Sequence, residues 1–191
     1  MANVDKAFGL RPLGNLSASG SQNQYGYEIA DNQAGAIYQG DLVTLKDGYI
    51  LQFNPASHTA AVGVFNGCNY IDPTTGKPTW SNYYPGSVNI TQGKIIAEVL
   101  DDPNQMFLIQ NDGTSAATNY GLNADVVVGT GSTTTGVSAM ELDTSTIATT
   151  AALNVKIIGL WDVPNNAVGA NAVVVVKINE HLYGSAGVAG Q

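Results

Sequence analysis

Apolar positions along the chain fall in short runs that alternate with polar ones, and helix signals are poor. The clearest case is "DLVTLKDGYILQF" (41–53), where two alternating runs flank Asp47-Gly48, a pair that predicts a hairpin turn. Comparable runs stand at "YGYEI" (25–29), "GDLVTL" (40–45), "YILQF" (49–53), "AVGVFNGCNY" (61–70), "GKIIAEVL" (93–100), "MFLIQ" (106–110) and "ADVVV" (124–128). Two more, "LNVKIIGLW" (153–161) and "NAVVVVKIN" (171–179), are so apolar that they predict strands in the middle of the core. One helical turn is expected within 143–153, where Asp143 offers a cap.

The pattern predicts an all-β protein, a barrel or sandwich of about a dozen short strands. Its body spans 25–182, between an extended, glycine-dotted N-terminal arm (1–24) and a C-terminal tail (183–191). The Thr/Ser/Gly stretch 129–146 reads as a loop or edge hairpin outside the core. Arms and tails of this composition gain order against a partner more often than on their own.

Composition sharpens the picture of the surface. The chain has 191 residues, 44% hydrophobic, enough for one domain with a real core, yet only 12% are charged. A surface finished with Asn, Gln, Ser, Thr and Gly suits contact with other protein, because few charges need desolvation there. The net charge is −8, and no Lys or Arg occurs between Lys94 and Lys156. Direct binding to nucleic acid or to an anionic membrane is therefore not expected, since both need clustered cations. The first residues contain no apolar leader-like run, and no apolar stretch approaches membrane-spanning length, so a soluble protein made in a cytoplasm is expected.

Candidate chemistry is sparse. "DPTTGKPTW" (72–80) resembles a phosphate-binding loop, but the preceding glycine is Gly67 and Lys77 is followed by Pro78, so a strand-reversing turn is expected instead. Cys68, the single cysteine, excludes an intrachain disulfide; with His58 it would make a nucleophile and base, but it sits in an apolar strand. His181 belongs to no zinc motif, and "GVSAM" (136–140) is not a serine-hydrolase elbow. Asp101 and Asp102 in "DDPNQ" would suit a hard cation or, equally in residue type, a β-turn. No enzyme and no cofactor are expected.

Two binding surfaces remain. In the arm, Lys6, Phe8, Leu10, Arg11, Leu13 and Leu16 make a positive, apolar segment that would thread a groove on a partner. In "YIDPTTGKPTWSNYYP" (70–85), read as a long loop, Tyr70, Trp80, Tyr83 and Tyr84 have the character of interface anchors, with sugar stacking and capping of a barrel end as alternatives.

The opening "MANVDKAFGLRPLGNLSASGS", leading into "QYGYEIADNQAGAIYQGDLVTL" and "AVGVFNGCNY", resembles capsid decoration (cement) proteins of tailed bacteriophages, especially marine phages of cyanobacteria and other ocean bacteria. The resemblance continues through "DDPNQMF", "TTTGVSAMELDTST" and "KINEHLY". It implies a β-rich structural protein on the exterior of the virion head, made in the host cytoplasm. Such a protein assembles as a homotrimer or dimer and clamps neighbouring copies of the major capsid protein in the expanded shell. The alternative is a tail or head-fibre component that binds glycans or a receptor through the 70–84 region. The major capsid protein itself is disfavoured by short length and scarce helix.

Overall fold

The computed structural model describes residues 3–16 and 23–184, so the expectations for residues 1–2 and 17–22 of the arm and 185–191 of the tail lie outside the described residues. The chain is all-β. Its strands are β1 (Arg11–Asn15), β2 (Tyr25–Ile29), β3 (Ile37–Tyr38), β4 (Leu42–Lys46), β5 (Tyr49–Gln52), β6 (Gly63–Ile71), β7 (Pro78–Ser81), β8 (Tyr83–Tyr84), β9 (Ile95–Leu100), β10 (Gln105–Gln110), β11 (Asn123–Ala124), β12 (Val126–Val127), β13 (Glu141–Leu142), β14 (Val155–Leu160) and β15 (Val173–Ile178). The expected turn of helix is a single 3₁₀ turn, Thr144–Thr146, in which Asp143 accepts from the Ser145 N–H. Among the described residues, no helix is long and apolar enough to cross a membrane.

Two sheets organise the molecule, and every ladder between named strands is antiparallel. One has the order β1-β10-β15-β14-β11, with the apolar β15 at its centre. The other runs β2-β9-β6-β4-β5, with β7 paired beside the far end of β6. The hairpin expected at 41–53 is β4–β5, and its turn residues Asp47 and Gly48 both have positive φ, 51° and 86°.

Side chains alternate across a strand, and the second sheet uses both faces. Leu42, Val64 and Leu100 join one core with Phe107, Ile109, Val155, Ile157, Val174 and Val176 of the first sheet, which makes a sandwich. Their neighbours Val43, Phe65 and Val99 point the other way, into a second core with Ile29, Ile50, Cys68 and Ile95. Around that core the sheet curls until its end strands β2 and β5 lie against one another, and Ile37 and Tyr84 of the β3–β8 ribbon cover the opening. One sheet is thus the shared wall of two cores.

Three expectations are corrected. The arm is not outside the fold: Leu10 is 1% exposed in the first core, and β1 pairs with β10 from Arg11↔Leu108 to Asn15↔Gln105. One inward leucine and one edge strand are enough to lock it. At the crossing the Leu10 N–H donates to the Gly40 carbonyl at 2.8 Å, and position 9 requires glycine, because its φ is 71° and a Cβ there would stand 2.5 Å from that same oxygen. The stretch 129–146 is likewise part of the core, since Met140 and Leu142 are fully buried and Ser138 donates to the buried Asp41. Finally, 70–85 is not a long loop. Residues 72–77 are a tight reversal between β6 and β7, as expected for 72–80, and β8 follows at once.

Candidate binding surfaces

The reversal at 72–77 shows why no phosphate loop forms. The Thr74 and Thr75 N–H groups both donate to Asp72 Oδ1, at 2.7 and 3.0 Å, and the Gly76 N–H donates to the Asp72 carbonyl. The Thr75 and Thr74 bonds hold the Asp72 carboxyl below its usual range, and all three amides are turned inward.

The other candidate chemistry is also absorbed locally. Cys68 is fully buried in the second core, and burial pushes its thiol up to about 12, which removes the thiolate a nucleophile needs. His58 is engaged elsewhere, accepting from the Asn54 N–H at Nδ1. Asp102 accepts the Asn104 N–H at 2.8 Å, and its carbonyl accepts the Gln105 N–H, which is the β-turn reading. Its carboxylate is also bonded by Asn15 of β1, while Asp101 accepts from the Tyr27 hydroxyl at 2.8 Å.

His181 sits beside these carboxylates, 2% exposed. Its Nδ1 accepts from the Tyr183 N–H at 3.0 Å, and its Nε2 is buried near the Asp101 backbone. Burial lowers its pKa, outweighing the attraction of Asp101 and Asp102, with Lys177 acting in the same direction as burial. The unfolded chain therefore binds this proton more readily than the native one. The associated stability is fully present above about pH 6.5 and is lost as pH falls through the lower native value. Urea midpoints across this range should fall with acidification, and His181→Gln should flatten the slope. His58, which burial also lowers, is half-exposed, so His58→Gln should leave most of it.

The arm residues divide by side. Leu10 is interior, which corrects its assignment to a partner surface. Lys6 and Arg11 are exposed, Phe8 is half-buried with the Arg11 guanidinium 4.7 Å above its ring, and Leu13 and Leu16 are 41% and 50% exposed. Val4, missed in the sequence, is also exposed. Lys6, Phe8 and Arg11 border a concavity of about 440 Å³ with Thr130, Ser132 and Thr135. Among the described residues, the one ion pair joins Lys94 to Glu28, so neither arm cation has a carboxylate partner there.

The four aromatic candidates also separate. Tyr84 is fully buried, its hydroxyl donating to the Gln33 carbonyl at 3.0 Å, and it caps the second core instead of anchoring an interface. Tyr83 stacks on Tyr38 at 5.7 Å and is half-buried. Trp80, 58% exposed, and half-buried Tyr70 line an open groove. Tyr25, 64% exposed and edge-on to Tyr27 at 5.3 Å, was not singled out, since nothing in "YGYEI" marks which tyrosine faces out.

Comparison of the chain with protein-family models, curated proteins and solved structures finds no match.

Proposed function

We propose that this is a structural, non-enzymatic protein of the phage capsid-decoration type, fastened to the exterior of a head shell by the outer side of residues 3–16. The observation that carries the reading is the two-sidedness of that segment. Its inner side is held by Leu10 and the β1–β10 ladder, while Val4, Lys6, Arg11, Leu13 and Leu16 face outward. A binding segment already fixed on a scaffold loses little conformational freedom when its partner arrives. The partner that fits is the major capsid protein, offering an apolar strip with acidic neighbours. Self-association, with a homotrimer favoured by the resemblance, would multiply one modest contact into strong retention through effective concentration.

The test is co-sedimentation with expanded heads assembled from the major capsid protein of the same genome. Leu13→Asp combined with Leu16→Asp should weaken head binding at least about tenfold, roughly 1.4 kcal/mol. Because both side chains are exposed, thermal unfolding should barely change. Undiminished binding by the double variant would overturn the reading.

A further inference from the structure

The outer face of the β7-β6-β9-β2 ribbon has a composition that the shell-binding reading does not use. Cross-strand partners share a face, so the register Trp80↔Asn69↔Ile96↔Glu28 sets one row of side chains across it. The adjoining row is Gly67↔Glu98↔Gly26, in which two of three positions carry no side chain. Lys94 stands on the other flank, its ammonium 2.6 Å from Glu28 Oε2.

The indole of Trp80 is seated against this bare floor. A Cβ at Gly67 would fall 2.8 Å from Trp80 Cζ2, so the ring edge rests where a side chain would otherwise be, while more than half of the residue stays exposed. Beside it the Asn69 amide donates to Glu98 Oε1 at 3.2 Å, which orients both groups along the groove. The groove is about 480 Å³ and is lined by Asn69, Tyr70, Thr79, Trp80, Lys94 and Ile96, and Glu98 adjoins it through the bond to Asn69.

We propose that this groove is a saccharide-binding site in which a neutral sugar ring stacks on Trp80. A pyranose has an apolar face of C–H groups and a rim of hydroxyls. The first matches a fixed, exposed indole next to Ile96, and the second matches the Asn69 amide, the Glu98 carboxylate bonded to it, the Thr79 hydroxyl and the Lys94 ammonium. Lys94, the one cation of the groove among the described residues, is already paired with Glu28, so a phosphate would find no unpaired positive charge there, which favours an uncharged ligand. The site lies on a different strand set from residues 3–16 and is independent of the head-binding reading.

The chain has two tryptophans, so Trp161→Phe leaves Trp80 as the reporter. Maltotriose, cellotriose and tri-N-acetylchitotriose are each titrated by fluorescence and by calorimetry. At least one should shift the Trp80 emission saturably with a Kd of about 1 mM or tighter. In the otherwise native chain, calorimetric affinity should drop at least about tenfold on Trp80→Ala and severalfold on Glu98→Gln, while Leu13→Asp with Leu16→Asp leaves it unchanged. Glu98→Gln preserves shape, so its effect is read even if the tryptophan variant misfolds. Absence of saturable binding by all three sugars up to about 20 mM overturns the proposal. So does binding that survives both Trp80→Ala and Glu98→Gln, or a Trp80→Ala effect on oligomer size with sugar affinity unchanged.

Discussion

Replacing Leu10 with alanine should lower the unfolding free energy by about 3 kcal/mol, although the residue lies in a segment that reads as a loose arm. Its side chain fills the first core beside Leu42, Val64 and Phe107, and the neighbouring backbone is pinned at Gly40. Truncation leaves a cavity there that cannot collapse without moving β1 from β10. Leu13→Ala, three residues on and exposed, should change stability by no more than about 0.5 kcal/mol. Urea unfolding followed by circular dichroism measures both. A loss below about 1 kcal/mol for Leu10→Ala would mean that the segment detaches from the body without cost. Deleting residues 2–16 should prevent stable folding, because it removes this leucine together with an edge strand and exposes the side of β10.

Asp41→Ala is expected to be at least as damaging, at about 3–5 kcal/mol. Asp41 is fully buried and accepts from the Tyr38 N–H, from Gln52 Nε2 and from the Ser138 hydroxyl, at 2.8, 2.8 and 2.6 Å. These donors come from β3, from β5 and from the segment before β13, so one carboxyl ties the cap of the second core to the stretch that closes the first. Alanine leaves the Tyr38 N–H and the Ser138 hydroxyl buried without this acceptor and also frees the half-buried Gln52 amide. Asp41→Asn keeps the shape and one acceptor oxygen but places an N–H₂ where a donor already points, so it should recover part of the loss. Burial raises the Asp41 carboxyl above its usual value against the pull of those bonds. The native state therefore holds this proton to higher pH than the unfolded chain, and its effect on stability grows as pH falls through the native value, opposite in sign to that of His181. Chemical denaturation of the three proteins at neutral pH orders them, and an alanine variant as stable as the parent would show the carboxyl to be dispensable.

Local pattern was readable where a strand lies against its own sequence neighbours. "YGYEI" is β2 to the residue, and Asp47-Gly48 fixed the β4–β5 hairpin because turn chemistry is local. The valines of 171–179 placed β15 at the centre because only a strand covered on both sides tolerates so many. What failed depended on distant partners. Nothing in "RPLGN" announces a strand, since its ladder is supplied by residues almost a hundred positions away, and Pro12 and Gly14 flank a register shift that hides the alternation. Tyr84 reads as an exposed anchor because it ends an aromatic cluster that looks like a long loop; its burial follows from packing in the second core, where the Gln33 carbonyl satisfies its hydroxyl. Of the surface groups, Trp80 was legible by residue type alone. Asn69, Glu98 and Glu28 were not, because they become its neighbours only through the β7-β6-β9-β2 register.

The placement of β1 also sets how the molecule answers a pull. A tug on Leu13 or Leu16 along the strand acts parallel to β10, so the hydrogen bonds of that ladder are strained together instead of opening one after another. Leu10, seated beyond the end of the strand, has to leave the core in the same motion. Sideways tension at Asn15 would peel the same strand bond by bond at much lower force. The rupture force of this protein is thus a property of direction, high along the axis of β1 and low across it.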